Sequence, residues 1–413
     1  MKHLEENDVK IYRISAKSGA ALAASCAAAA RQLEADAGRR ALFFAHPSEG
    51  PCRRAFAASE REEIIAALRA DIPQQTAKRP KLIFAMPGQG SAGPVPAEYL
   101  CAALPVFREY VERAQRRLER HVRLSVKELL TRGKARSSME EQLFVFIYGT
   151  ALAMQYRAWG AEPDMIAAHS LGELSAMAVC EMTSYEEMLD FVCRRALIID
   201  SLAESGAMAH VAGDFARVRR MTAAYGGKLS LAAVNSRESV VVSGDAKALS
   251  AFERELDRIP LAHKRLRVPK AAHSAVMEPA LAPIAALAFP SVRDGRFPLY
   301  SSVSGGALTA PEAEAPAWRI RHCRETARFD LAIAALAKPL RGHEAVAVEF
   351  GVHRVLAAAG MKAIPGSKWY GASTMSRFHE NRSQEYCFKR GIMETAAALY
   401  ERNLLKQISA IFH

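Results

Sequence analysis

The sequence predicts an α/β protein: a large parallel-sheet domain with a smaller domain inserted into it, preceded by a small α+β unit. Three observations carry this. Short apolar strands, Lys81-Leu-Ile-Phe-Ala-Met86 and Met165-Ile-Ala-Ala168, each run into a small-residue turn, and the second leads on to a helix. Strands followed by helices indicate a parallel sheet, whose ligands gather at the strands' carboxyl ends. Between residues 205 and 268 the order of elements becomes βαββαβ, the ferredoxin-like pattern. With 413 residues, half of them apolar, the chain can bury a core large enough for two or three domains.

In chain order, the first unit spans 1–80. It contains a strand Val9-Lys-Ile-Tyr-Arg-Ile14, an Ala-rich helix near 17–36, a strand Ala41-Leu-Phe-Phe44, and a helix near 59–70. Ser59 with Glu62 three residues on reads as the capping box that opens this last helix. The stretch Asp71 to Pro80 holds two prolines among polar residues and reads as a linker. The large domain covers 81–204 and 269–413, with a long helix over 139–159 between its first two strands and a C-terminal helix from Arg390 to Ala410. The inserted domain, 205–268, is built from Gly206–Val211, a helix near 214–225, Leu229–Asn235, Ser239–Ser243, a helix near 246–257 and Lys264–Val268.

Composition narrows the function. No apolar h-region follows Met-Lys-His-Leu-Glu-Glu, and no apolar run reaches the roughly 20 residues that span a bilayer, so a cytoplasmic protein without membrane contact is expected. Seven scattered cysteines with no Cys-x-x-Cys pair argue against a disulfide framework and against a zinc site. A net charge of +12, with concentrations at Arg113–Arg120, Arg217–Arg220 and Arg319–Arg324, suggests an acidic partner. No basic run is interleaved with aromatics, which disfavours nucleic acid; a small acidic protein steered to a basic surface fits.

The chemistry centres on Ala168-His169-Ser170-Leu171-Gly172, at the end of an apolar strand and the start of a helix. This reads as a nucleophile elbow, which makes the large domain α/β-hydrolase-like. The turn is so sharp that its flanks tolerate only small side chains, the serine hydroxyl stands clear, and the next N–H helps to form an oxyanion hole. Ala168 replaces the usual first glycine with the least bulky alternative. A serine nucleophile needs a base, since its hydroxyl is barely ionised near neutral pH. His169 adjoins it, but on an elbow its side chain points away from Oγ, which favours a packing or hydrogen-bonding role. His273, in Val268-Pro-Lys-Ala-Ala-His273 where the chain leaves the inserted domain, would face the cleft and is the candidate base; a structural histidine is the alternative.

Seven ordered blocks resemble the malonyl-CoA:acyl-carrier-protein transacylases and the acyltransferase domains of polyketide synthases. They include Phe84-Ala-Met-Pro-Gly-Gln-Gly-Ser91, Ala168–Glu173, Ala272-His-Ser-Ala-Val-Met-Glu-Pro279, Ala233-Val-Asn235, Tyr300–Gly305, Arg324–Phe329 and Glu349–Leu356. The resemblance covers nearly the whole chain, and residues 1–80 resemble the linker domain between ketosynthase and acyltransferase. It implies a discrete, trans-acting acyltransferase with no bound cofactor, monomeric by family precedent. Its partners would be an acyl carrier protein, a malonyl or substituted malonyl thioester on CoA or on a carrier protein, and a docking ketosynthase.

By the same resemblance Ser170 would carry the acyl group as an ester, with His273 as general base oriented by a backbone carbonyl from near Ser302. The N–H groups of Gln89 and Leu171 would form the oxyanion hole. Arg195, in Val192-Cys-Arg-Arg-Ala196, would grip the substrate's free carboxylate, a task that suits a planar bidentate donor. Gln142 and Asn235 match polar positions around the pocket. Lys270-Ala-Ala-His273 departs from the family's His-Ala-Phe-His and Tyr-Ala-Ser-His: Ala272 removes an aromatic wall and frees room for an α-substituent, and Lys270 adds charge near the mouth. Amino- or hydroxymalonyl therefore stand beside malonyl as acyl groups. The rival readings are a proofreading acyl hydrolase and a catalytically silent docking scaffold.

Overall fold

The computed structural model describes residues 9–35, 50–72, 78–259, 261–268, 270–374 and 382–406. In the N-terminal unit, β1 (Lys10–Ala16) pairs antiparallel with β2 (Cys52–Ala58), Lys10 opposite Ala58. Helices Gly19–Ala35 and Arg61–Arg69 close over this ribbon, burying Leu22, Leu33, Ile64 and Leu68 against Tyr12. The expected strand at Ala41–Phe44 lies outside the described residues. The strand opposite β1 went unread because Cys52-Arg-Arg-Ala is basic rather than apolar. Its Arg54 is buried all the same, donating to Ala67 O at 2.7 Å and pairing with Glu401 at 3.4 Å. The helix cap sits one residue later than expected: Glu63, not Glu62, accepts from the N–H groups of Ser59 (2.9 Å) and Glu60 (3.4 Å).

The large sheet is laid down by β3 (Lys81–Met86) and β4 (Met165–Ala168), which are joined through the helix Ser138–Ala158. The chain then builds a separate four-stranded sheet from β5 (Ala207–Val211), β6 (Leu229–Ser236), β7 (Ser239–Gly244) and β8 (His263–Arg265). It returns with β9 (Leu299–Ser301), β10 (Gly306–Ala307), β11 (Ala345–Glu349) and β12 (Lys368–Gly371).

The large sheet has the order β10-β9-β4-β3-β11-β12, parallel except for β10. Alternate residues of β3 face opposite cores: Leu82, Phe84 and Met86 meet one cluster, Ile83 and Ala85 the other. A strand covered on both faces reads as an unbroken apolar run, which is why β3 was legible. The small sheet is antiparallel throughout, ordered β6-β7-β5-β8, with helices Phe215–Ala223 and Ala246–Arg258 packed on its core of Val218, Val240 and Phe252. Its last strand ends at Arg265, short of the expected Val268. The C-terminal helix runs over Gln384–Glu401; it starts earlier than expected because Ser383 caps it, accepting from Tyr386 N–H at 3.2 Å, and ends earlier at Asn403, whose φ of +56° is left-handed. Among the described residues no helix is long and apolar enough to cross a membrane, and no three His, Cys, Asp or Glu residues cluster as metal ligands do.

The parallel strands and the elbow are pressed together at Gly172, where a Cβ would stand 2.1 Å from the Met86 carbonyl oxygen of β3. Gly172→Ala is therefore expected to destabilise the fold by about 2 kcal/mol or more, whereas Gly306→Ala, which meets nothing within 4 Å, stays within about 0.5 kcal/mol. Urea midpoints of the two variants at constant m make the comparison.

Candidate active site

Ser170 ends the turn between β4 and the helix Gly172–Val179 with φ +50°, a left-handed conformation that costs a non-glycine residue about 1–3 kcal/mol unless its surroundings impose it. They do. Its N–H donates to Ser302 Oγ at 2.9 Å, and its carbonyl accepts from Glu173 N at 2.8 Å and from His322 Nε2 at 2.9 Å. Glu173 is fully buried beneath the turn. Its carboxylate accepts from Ser302 Oγ (2.6 Å), Ser302 N (2.9 Å), Val303 N (3.2 Å) and Ser301 Oγ (2.5 Å). Burial pushes this acid up to about 7 while the four donors pull it down. Ala168 is fully buried in β4 opposite Met86, so the missing first glycine disturbs nothing. The close approach falls on Gly88 instead, whose Cβ would meet His169 O at 2.8 Å.

His273 also has a left-handed backbone, φ +59°. Its Nδ1–H donates to Glu325 O at 2.7 Å, which leaves Nε2 to accept from Ser170 Oγ, also at 2.7 Å. The orienting carbonyl is therefore Glu325's and not one near Ser302, because the Ser302 carbonyl is taken by the Arg328 N–H at 2.6 Å. Burial depresses the imidazole pKa to about 4, reinforced by the charge of Arg195, with the Glu325 carbonyl opposing. Near neutral pH the ring is uncharged and able to take the hydroxyl proton.

Facing the elbow, the turn after β3 is pinned from below. Glu141, buried in the helix Ser138–Ala158, accepts from Gln89 Nε2 at 2.9 Å and from Gly90 N at 3.1 Å. Burial raises Glu141 to about 7. The backbone N–H groups of Gln89 and Leu171 donate to no protein acceptor among the described residues, and Gly88 lies between them, its Cβ position 3.4 Å from Leu171 N. Two unused donors beside a serine–imidazole pair can stabilise the oxyanion that forms when the hydroxyl adds to a carbonyl.

Arg195, on the helix Tyr185–Leu202, is 6 % exposed, and its Nη1 donates to Gln142 Oε1. Gln142, inside the helix Ser138–Ala158, in turn donates to Ser138 Oγ at 2.7 Å. Arg195 has no carboxylate partner among the described residues. Asn235, at the end of β6, spends its carboxamide oxygen on His169 Nε2 at 2.8 Å, so it orients the histidine beside the nucleophile. Ala272 is half-buried next to His273, whereas Lys270 turns from the mouth and donates to Ala203 O at 2.6 Å, capping the helix that carries Arg195.

Three groups went unread in the sequence: His322, Glu141 and the carboxylate of Glu173. Glu173 stands inside a quoted block, and a lone acid after an elbow serine was the available signal. His322 sat in a run of arginines that reads as surface charge.

With His273 at about 4, Ser170 is expected to react with phenylmethanesulfonyl fluoride at a rate that is flat from pH 8 to about 5 and falls to half near pH 4 as the ring protonates. Mass spectrometry of the labelled peptide follows this, and Ser170→Ala leaves no label.

Residues 83–398 match the family model described as an acyl transferase domain. Over 322 residues, 75% of this chain, the sequence is 32% identical to the erythronolide synthase EryA3 of Saccharopolyspora erythraea. Over 330 residues, also 75%, it is 30% identical to the polyketide synthase GfsA of Streptomyces halstedii. The chain spans only 10% and 4% of those two proteins. Among solved structures, the acyl transferase domain of SpnD in complex with 2-(pent-4-yn-1-yl)malonyl is 29% identical, with a TM-score of 0.84 and 98% of each chain covered. The acyltransferase domain from module 8 of the salinomycin polyketide synthase is 25% identical, with a TM-score of 0.78 and 97% of each chain covered. The chain belongs to the acyl transferase domain family.

Proposed function

We propose that the protein transfers a malonyl-type acyl group from a thioester donor, through an ester on Ser170, to the phosphopantetheine thiol of an acyl carrier protein, acting in trans on a polyketide or hybrid polyketide/nonribosomal peptide assembly line. No bound cofactor takes part. Ser170 Oγ attacks the thioester carbonyl as its proton passes to His273 Nε2, the oxyanion collects the N–H groups of Gln89 and Leu171, and the protonated ring returns the proton to the departing thiolate. The carrier thiol then repeats the sequence on the ester, and the kinetics are ping-pong.

The observation that carries the reading is Arg195. A guanidinium taken out of water without a counter-ion costs several kcal/mol. It is worth holding there if the substrate brings the carboxylate, and Gln142 keeps one edge of the fork fixed while the other stays available. The neighbouring structure bound to a substituted malonyl supports the same substrate class. Docking the carboxylate also neutralises Arg195, whose charge adds the smaller share to the depression that burial imposes on His273. The half-buried Ala272 beside the base leaves room for a small α-substituent, which keeps amino- and hydroxymalonyl among the acyl groups.

The partner reading rests on a groove of about 850 Å³ that begins at Gly90 and Glu141 and is lined by Lys134, Arg136, Lys264 and Arg267. Arg265 beside them is paired with Glu253, whereas these four have no carboxylate partner among the described residues. Unpaired cations at the rim suit the phosphates of CoA and an acidic carrier protein.

Two experiments follow. Arg195→Ala is expected to lower kcat/KM for malonyl-CoA about a hundred-fold or more while sparing acetyl-CoA; equal loss on both donors would sink the carboxylate argument. Lys264→Glu with Arg267→Glu should raise KM for malonyl-CoA and for a separately added carrier protein about ten-fold, in a salt-dependent way, and leave malonyl-N-acetylcysteamine unchanged. Faster passage of the acyl group to water than to the carrier would identify a hydrolase instead.

A further inference from the structure

We propose that His322 is a positioning residue that holds Ser170 in its reactive backbone conformation by donating Nε2–H to the Ser170 carbonyl. The inference rests on the reading of Ser170 as the nucleophile. It does not depend on which acyl group is carried.

The left-handed Ser170 needs its peptide groups held on both sides. The N–H side is held through Ser302 and Glu173. The carbonyl accepts one backbone N–H, from Glu173, and the imidazole of His322 is the side chain that donates to it. That imidazole is not a surface group that happens to reach in: His322 is 2 % exposed, and its ring packs on Trp318 at 4.8 Å between centroids. Burial, with the charges of Arg195 and His273 adding to it, keeps the ring well below the usual histidine range and therefore uncharged. A protonated ring would place a second positive charge beside Arg195 and against the proton that His273 must take up.

The position of His322 in the chain gives the contact its meaning. The next residue, Cys323, accepts the His273 N–H at 3.0 Å, and Glu325 accepts His273 Nδ1–H at 2.7 Å. Three residues within one four-residue stretch thus grip both members of the reacting pair: His322 takes the serine by its backbone, Cys323 and Glu325 take the histidine by its backbone and its ring. The separation of 2.7 Å between Ser170 Oγ and His273 Nε2 is set by this one segment as well as by the elbow itself. Loss of the His322 donor frees the Ser170 carbonyl to turn, and the hydroxyl leaves the line to Nε2.

The test compares His322→Phe, which keeps a ring on Trp318 but has no donor, with His322→Asn, which keeps a donor in a shorter side chain. The rate of Ser170 labelling by phenylmethanesulfonyl fluoride is read beside kcat, KM and Tm. The Phe variant should label about 10–100-fold more slowly and lose kcat by the same factor, with KM for malonyl-CoA within about two-fold of the parent. The Asn variant should recover most of the labelling rate. Unchanged labelling in the Phe variant, or equal loss in both variants, overturns the assignment. If the Phe variant does not fold, the same labelling comparison is made with His322→Gln and His322→Leu. A parent protein that labels at no serine, or at another one, would overturn the reading of Ser170 rather than the role of His322.

Discussion

A carboxylate in the interior, that of Glu173, is the constraint on which the site is built. Burying an anion is expensive, and here the cost is offset only because hydroxyl and backbone donors from three consecutive residues, Ser301 to Val303, converge on it. Those residues are the last of β9 and the two that follow it, while Glu173 lies in the first turn of the helix that leaves β4. The acid therefore locks two neighbouring parallel strands at their carboxyl ends. Ser302 passes the constraint on by accepting the Ser170 N–H with the same hydroxyl that donates to Glu173. The strain at Ser170 is stored against this network.

A second buried acid does the corresponding work across the cleft. Glu141 holds the turn after β3 through Gln89 Nε2 and Gly90 N, so the peptide between them is presented by its surroundings rather than by its own stiffness. The third wall is the segment 322–327. After gripping His273 it continues into the small sheet: Thr326 Oγ1 donates to Leu231 O at 2.7 Å, Ala327 N to Ala232 O at 2.9 Å, and Val234 N to Ala327 O at 2.9 Å. The small sheet is thus coupled to His273 through a few residues of backbone.

What could be read from the sequence follows from how local each signal is. β3 and β4 are buried on both faces, so their apolar runs announced them, and the elbow was visible because a serine among small residues directly after such a run is what a sharp strand-to-helix turn requires. The pairing of Ser170 with His273 was legible as chemistry, since a hydroxyl needs a base. Its distance was not, because it depends on Glu325, 52 residues further along the chain. β2 was missed for the opposite reason: Arg53-Arg54 looks solvated, and only the C-terminal helix, with Glu401, makes that strand an interior one. His322 was hidden likewise, since nothing local distinguishes one buried imidazole from the arginines around it. Asn235 was read as a pocket residue by resemblance, and its bond to His169 could be seen only once β6 was laid against the elbow.

The electrostatics of the site have a consistent sign. Within it the buried acids Glu141 and Glu173 are spent on the backbone and hydroxyl donors that shape the two turns, and neither neutralises Arg195. The positive charge that remains acts on both buried imidazoles in the same direction, lowering the proton affinity of His273 and His322. A base held that low, chiefly by burial, is a weak acceptor toward a serine hydroxyl. Under the proposed reading, a malonyl carboxylate removes only the smaller share of the depression that the Arg195 charge adds to burial. Selectivity for the acyl group then rests chiefly on binding, through one guanidinium that the fold itself leaves uncompensated.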